Sequence, residues 1–178
     1  MRIFLVLALL VFVSCNQKET PFTAQQIIDK SMIANGVEKV WNSKIEFDFR
    51  DIRYKANRKN GNFKLTRTFK KDSVLIEDEL SNFGFKRFKN GQLSKTIDSM
   101  AVKYGNSVNS VHYFSVLPYG LNDEAVQKKL LKDATIKGKS YYKIQVSFSE
   151  DGGGEDFEDV FVYWIGKDDF KMDYLAYS

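Results

Sequence analysis

The chain has 178 residues, with 27 Lys and Arg against 23 Asp and Glu, a formal net charge of +4, and an aromatic content of 15%. That length supports one domain with a real core and leaves two domains cramped. A single cysteine, Cys15, excludes an internal disulfide, and a single histidine, His112, excludes a His-rich zinc cluster. The positive charge is spread over many lysines with acids nearby rather than gathered into a basic block. Nucleic-acid binding is therefore not expected, and a mildly basic surface facing anionic lipid or glycan is.

The chain opens with Arg2, an apolar run from Ile3 to Val13, and small Ser14 before Cys15, the order of a secretion signal over residues 1–14. An apolar run of about 11 residues rises only about 16 Å as a helix, roughly half the hydrocarbon thickness of a bilayer. A cleaved signal is expected rather than a spanning helix. Phe12-Val13-Ser14-Cys15 resembles the lipobox of bacterial lipoprotein precursors, which implies that Cys15 carries diacylglyceryl and fatty acyl groups such as palmitate. More than one acyl chain holds a protein firmly on a membrane, at about 0.8 kcal/mol per buried methylene. Asn16 after the cysteine is not the aspartate that retains many such lipoproteins at the inner membrane, which implies the outer membrane. The alternative is a simple secretory signal with an unmodified thiol. Residues 15–22 form the tether, and 23–178 form one domain.

Thr23-Ala24-Gln25-Gln26 fits a capping box, and Ile27, Ile28 and Met32 form an apolar stripe that stops at Asn35-Gly36. The period then changes to alternation. Ile45, Phe47 and Phe49 alternate with Glu46, Asp48 and Arg50, and the phase shift to Ile52 and Tyr54 predicts a bulge near Asp51. Asn60-Gly61 and Asn90-Gly91 are hairpin turns, with strands expected at Phe63 to Phe69, Val74 to Leu80, Phe83 to Lys89 and Gln92 to Ile97. Met100, Tyr104, Val108 and Val111 recur at helical spacing over Asp98 to Leu117, with Gly105 a weak point and Pro118 a terminator. Asn122-Asp123-Glu124 is placed to cap one more turn. Strands resume at Leu131 to Ile136 and Tyr141 to Ser149 around Lys137-Gly138-Lys139. Val160 to Ile165, apolar throughout, reads as a strand covered on both faces, and a last strand runs from Phe170 to Ser178.

An N-terminal helix, antiparallel strands, a mid-chain helix and further strands make an α+β protein. Two segments, AQQIIDKSMIANGVEKVWNSKIEFDFR and VFVYWIGKDDFKMDYLAYS, carry a resemblance to the lipoprotein-sorting LolA/LolB-like half-barrel. The resemblance implies a curved antiparallel sheet wrapped around helices, with acyl chains held on its concave face. HYFSVLPYGLND, GKSYYKI and GGGEDFEDVFVYW resemble phrases of an uncharacterised family of Gram-negative lipoproteins whose members run past this end. That likeness implies a domain missing its last strands, and brings no activity with it.

No catalytic constellation is present. His112 reads as a packed helix histidine, no G-x-S-x-G elbow occurs, and no cofactor is implied. The acidic stretch Asp151 to Asp159 lacks the EF-hand spacing and reads as a solvated loop, and Glu77-Asp78-Glu79 reads as surface charge. The candidate ligand surface is apolar: Phe47, Phe49, Phe63, Phe69, Tyr142, Ile144 and Trp164 from the strands, with Tyr104, Val108 and Val111 from the helix. These side chains either hold a lipid or other apolar molecule or pack together as a dry core. The expectation is a non-enzymatic, membrane-tethered binding protein. A structural envelope lipoprotein with a filled core is the alternative.

Overall fold

The structure is a computed structural model and describes residues 21–150 and 158–177. The signal segment, Cys15, most of the acidic stretch from Asp151 and the final Ser178 lie outside the described residues.

Helix α1, Ala24–Ala34, begins with the expected capping box: the Gln26 N–H donates to the Thr23 hydroxyl at 3.2 Å and the Thr23 N–H to the Gln26 side-chain oxygen at 2.9 Å. These bonds satisfy two of the helix's orphan donors. Its apolar stripe buries Ile27 and Ile28, and Gly36 at φ 70° turns the chain into a single helical turn, α2, Glu38–Trp41. A four-residue helix is too short to show a period, so alternation masked it.

Strands β1 (Lys44–Phe49), β2 (Ile52–Lys59), β3 (Asn62–Lys71), β4 (Val74–Ser81), β5 (Gly84–Lys89) and β6 (Gln92–Ser94) pair in sequence as an antiparallel meander, sheet A. Asn60-Gly61 and Asn90-Gly91 turn with positive φ at both residues, the requirement of a type I′ hairpin. The bulge expected near Asp51 is instead another such turn: Arg50 and Asp51 lie at φ 50° and 61°, and Phe49 pairs directly with Ile52. The phase shift therefore marks a change of strand. The segment after Ser94 leaves the ladder, so β6 is shorter than expected.

Helix α3, Asp98–Phe114, crosses sheet A and ends three residues short of Leu117. Gly105 does not interrupt it. A Cβ there would lie 3.4 Å from a Leu80 methyl and 3.8 Å from Phe85, so the glycine lets the helix sit close on the sheet. Beyond α3 the chain makes turns through Asn122–Glu124 without a further helix.

Strands β7 (Val126–Ile136), β8 (Lys139–Phe148), β9 (Phe161–Gly166) and β10 (Met172–Tyr177) form a second antiparallel sheet, sheet B, in the order β10-β9-β8-β7. Its inner face, Ile144, Val146, Phe161, Tyr163 and Ile165, packs with Ile27 and Ile28 of α1 and with Leu121, and the group is almost wholly buried. The β9 side chains on the other face, Val162 and Trp164, are only half covered, so two-sided burial is partial. The α+β class is as expected, with few helices and open antiparallel sheets. The strands are divided between two sheets, neither closed into a barrel.

A buried ionic row under helix α3 and a buried arginine beside it

The register of sheet A places Tyr54, Arg67, Asp78 and Arg87 in one cross-strand row beneath α3, with Phe47 at its end. Asp78 is 0% exposed and takes both arginines: Arg67 Nε donates to Oδ2 at 2.8 Å, while Arg87 forks onto it through Nε at 2.6 Å and Nη2 at 2.8 Å. The bidentate fork is the strong geometry for a guanidinium and a carboxylate. The Asp78 carboxylate holds the Arg87 pKa above its ordinary value. Helix α3 closes the row from above, with Arg67 Nη1 donating to Ser107 Oγ at 2.7 Å and the Tyr104 ring centroid 3.6 Å from the Arg87 guanidinium carbon. Two cations share one anion, so the row carries a net positive charge.

Alternation along the strands shows why these charges are inside. Phe63, Leu65, Arg67 and Phe69 point to one face, as do Ile76, Asp78 and Leu80. Asp78 is therefore not the surface charge expected of an acidic run. Glu77 and Glu79 face the other way and are partly covered, with Glu79 paired to Lys64 at 2.5 Å.

Arg58, on the inner face of β2 beyond Tyr54 and Ala56, is 7% exposed. No carboxylate pairs with it among the described residues, and its Nη1 has no hydrogen-bond partner. The Tyr119 ring, 5.5 Å from the guanidinium carbon, is its one described aromatic contact. Burial pushes its pKa below the ordinary arginine value, against a smaller upward pull from Tyr119. A buried cation without an anion among the described residues is costly, because most of its hydration is lost and no described ion pair replaces it.

His112 is buried nearby, with its ring edge-on to Phe47 at 5.8 Å and Tyr54 at 5.5 Å. Its Nε2 lies 3.0 Å from the Thr66 carbonyl oxygen. A carbonyl can only accept, so Nε2 carries the proton and Nδ1, buried without a partner, presents a lone pair. Burial lowers the pKa of His112, the hydrogen bond to Thr66 opposes that shift, and the Arg58 charge adds to it. The imidazole is thus held neutral. Arg58 Nη1 and His112 Nδ1 are thus a buried donor and a buried acceptor without hydrogen-bond partners, as are the hydroxyls of Tyr113 and Tyr163.

The apolar residues expected to form a ligand surface are distributed between the sheets. Phe63 and Val108 pack in the sheet A cluster with Ala56 and Leu65, and Phe47 stacks on Tyr54 at 5.2 Å. Phe49 and Phe69 lie on the same face of sheet A, Phe49 largely exposed, and Val111 is half-buried on α3. Tyr142 and Ile144 belong to sheet B, where Tyr142 meets Phe22 and Phe170. Trp164 pairs with Lys143 on the outer face of sheet B and takes its ammonium 5.4 Å from the ring. Trp164 is therefore removed from any shared inner surface, because its strand partners Tyr163 and Ile165 take the inward positions. An open cleft of about 600 Å³ lies elsewhere, lined by Asp48, Arg50, Arg53, Thr68 and Lys70 among others, and it is mainly polar.

The molecule is thus an open two-sheet α+β protein that buries an ionic row in sheet A and, beside it, a guanidinium with no carboxylate partner among the described residues. The chain belongs to the Family of unknown function (DUF6503), whose model matches residues 1–178. No curated protein matches it.

Proposed function

We propose that this chain is an exported lipoprotein, anchored through acyl groups on Cys15, that binds an apolar ligand with an acidic head group beneath helix α3. Arg58, buried and without an ion-pair partner among the described residues, carries this reading. An oxygen anion at its free Nη1 replaces a desolvated cation with a charge-assisted hydrogen bond, among the strongest single contacts a side chain makes. The neutral His112 accepts at Nδ1, which suits a hydroxyl on the same head group, as in a singly ionised phosphate monoester. An acyl chain continues along the apolar side chains between sheet A and α3, in contact with Phe47, Phe63 and Val108. The helix is held there partly by polar pins, Ser107 on Arg67 and His112 on Thr66, which can exchange for water when it lifts. No catalytic role is proposed for His112.

The second reading, an envelope interaction protein with a filled core and no ligand, is favoured by the complete burial of Val108 and Ile144. Native mass spectrometry with organic extraction, on protein purified from a bacterial host, separates the two. The first reading expects a copurified acidic lipid in defined stoichiometry, lost in Arg58→Met and retained in a substitution of outward-facing Trp164. A clean apo mass that acidic lipids leave unchanged would support the filled core.

A further inference from the structure

A different part of the molecule, the free edge of sheet A, combines exposed apolar residues with unpaired positive charge. Phe83 at the β4–β5 turn is 91% exposed, Leu93 on β6 67%, Ile97 before α3 65% and Val102 in the helix 61%. They lie at the β4–β5 turn, on the edge strand β6, and in the segment that leads from it into α3. Strand β6 is the last in the sheet, Leu93 on it pairs with Phe88, and after Ser94 the chain leaves the ladder through Ile97 into α3. Lys86, Lys89, Lys95 and Lys103, all exposed, punctuate the same segment, and none makes an ion pair among the described residues. Asp98 is the only carboxylate between Phe83 and Lys103, Arg87 is consumed by Asp78, and Glu79, cross-strand from Lys86, is already paired with Lys64. Protruding aromatic and aliphatic side chains set among lysines are the composition that enters the headgroup region of a bilayer, with the apolar groups inserting and the ammonium groups meeting lipid phosphates.

We infer that this edge, from the Phe83 turn through β6 to the first turns of α3, docks on an anionic lipid surface. The charge complementarity selects lipid over a second copy of this chain, whose same edge is also basic and would repel it. Docking here adds a second membrane contact to the proposed tether and fixes how the domain lies on the bilayer. It does not depend on Arg58 or on a bound ligand.

The test uses the full chain reconstituted into vesicles, so that it holds however the N-terminus is anchored. Phe83→Trp places an indole at the tip of the patch, and its emission is read as the difference from the unsubstituted chain, which contains Trp41 and Trp164. In phosphatidylglycerol vesicles the added emission shifts to the blue and is quenched by brominated lipid. In phosphatidylcholine, or at high salt, both effects fall away. Changing Lys86, Lys89, Lys95 and Lys103 together to Gln abolishes the shift without moving the urea unfolding midpoint, because all four side chains are in solvent. An introduced indole that stays water-exposed in anionic vesicles, or one that responds equally to neutral and anionic lipid, would overturn the proposal. So would a blue shift that rises with protein density regardless of lipid charge, since that marks self-association.

Discussion

The two sheets bury their inner faces by opposite means. Sheet B packs Ile144, Val146, Phe161, Tyr163 and Ile165 against Ile27 and Ile28 of α1, a dry apolar contact in which burial does the stabilising. Two phenols, Tyr113 and Tyr163, enter this region, and burial raises both pKa values, that of Tyr163 to about 12, so both stay neutral near pH 7. Sheet A instead buries Arg58, Arg67, Asp78 and Arg87 under α3. A dry face is sensitive mainly to loss of volume, whereas an ionic face is sensitive to which charge is removed. Sheet B reads as scaffold and sheet A as the working surface.

Asp78→Ala breaks this contrast most sharply, because it leaves Arg67 and Arg87 together without their anion. A loss of about 3–5 kcal/mol is expected from urea unfolding, as for other broken buried pairs. Replacing Arg67, Asp78 and Arg87 together with apolar residues of similar volume is expected to restore most of it. A triple variant as weak as Asp78→Ala would mean that the row specifies the fold beyond its charge. Ile144→Ala in sheet B is expected to cost about 2–5 kcal/mol through the cavity left at a fully buried position, and to leave ligand binding intact.

Charge on the sheet A face also predicts a pH dependence. His112 is held neutral below its ordinary value of 6.5, so on acidification the unfolded chain takes up the proton first. Stability then declines as pH falls through about 6.5, by up to about 1.4 kcal/mol per pH unit until the folded protein protonates as well. His112→Gln, whose amide can still donate to Thr66, is expected to flatten the unfolding free energy over that range. An unchanged slope would remove His112 from the account.

Arg58→Met gives the smallest effect and the most telling sign. Removing a buried cation that has no ion-pair partner among the described residues relieves its desolvation, so the variant should be more stable by about 1 kcal/mol, with the Tyr119 contact offsetting part of the gain. Residues kept at a cost to stability are characteristic of functional sites. Destabilisation by Arg58→Met would instead give the guanidinium a structural role.

Much of the fold was legible because its signals are local. The capping box at Thr23 and the Asn-Gly turns at 60–61 and 90–91 need no tertiary context. The Arg50-Asp51 turn was not legible as a turn, because neither residue is a glycine and only the phase shift marks it. Division into two sheets is also a tertiary fact, since alternation reports which face a side chain takes and not which sheet it joins. The site itself was partly legible. The parity of Phe63, Leu65, Arg67 and Phe69, and of Tyr54, Ala56 and Arg58, already places those arginines among inward residues. Reading Asp78 by its charged neighbours rather than by that parity hid the row. Nothing local marks Arg58 as lacking a partner among the described residues, because that depends on what the other described elements bring near it.

The most direct measurement follows the side-chain nitrogen resonances of Arg58 by NMR, assigned by their loss in Arg58→Met, while the protein is titrated with dodecanoate and separately with dodecanol. The proposed site predicts a saturable shift with the carboxylate and little or none with the alcohol. Resonances that neither compound moves, or that both move alike, would contradict an acidic-ligand site at Arg58.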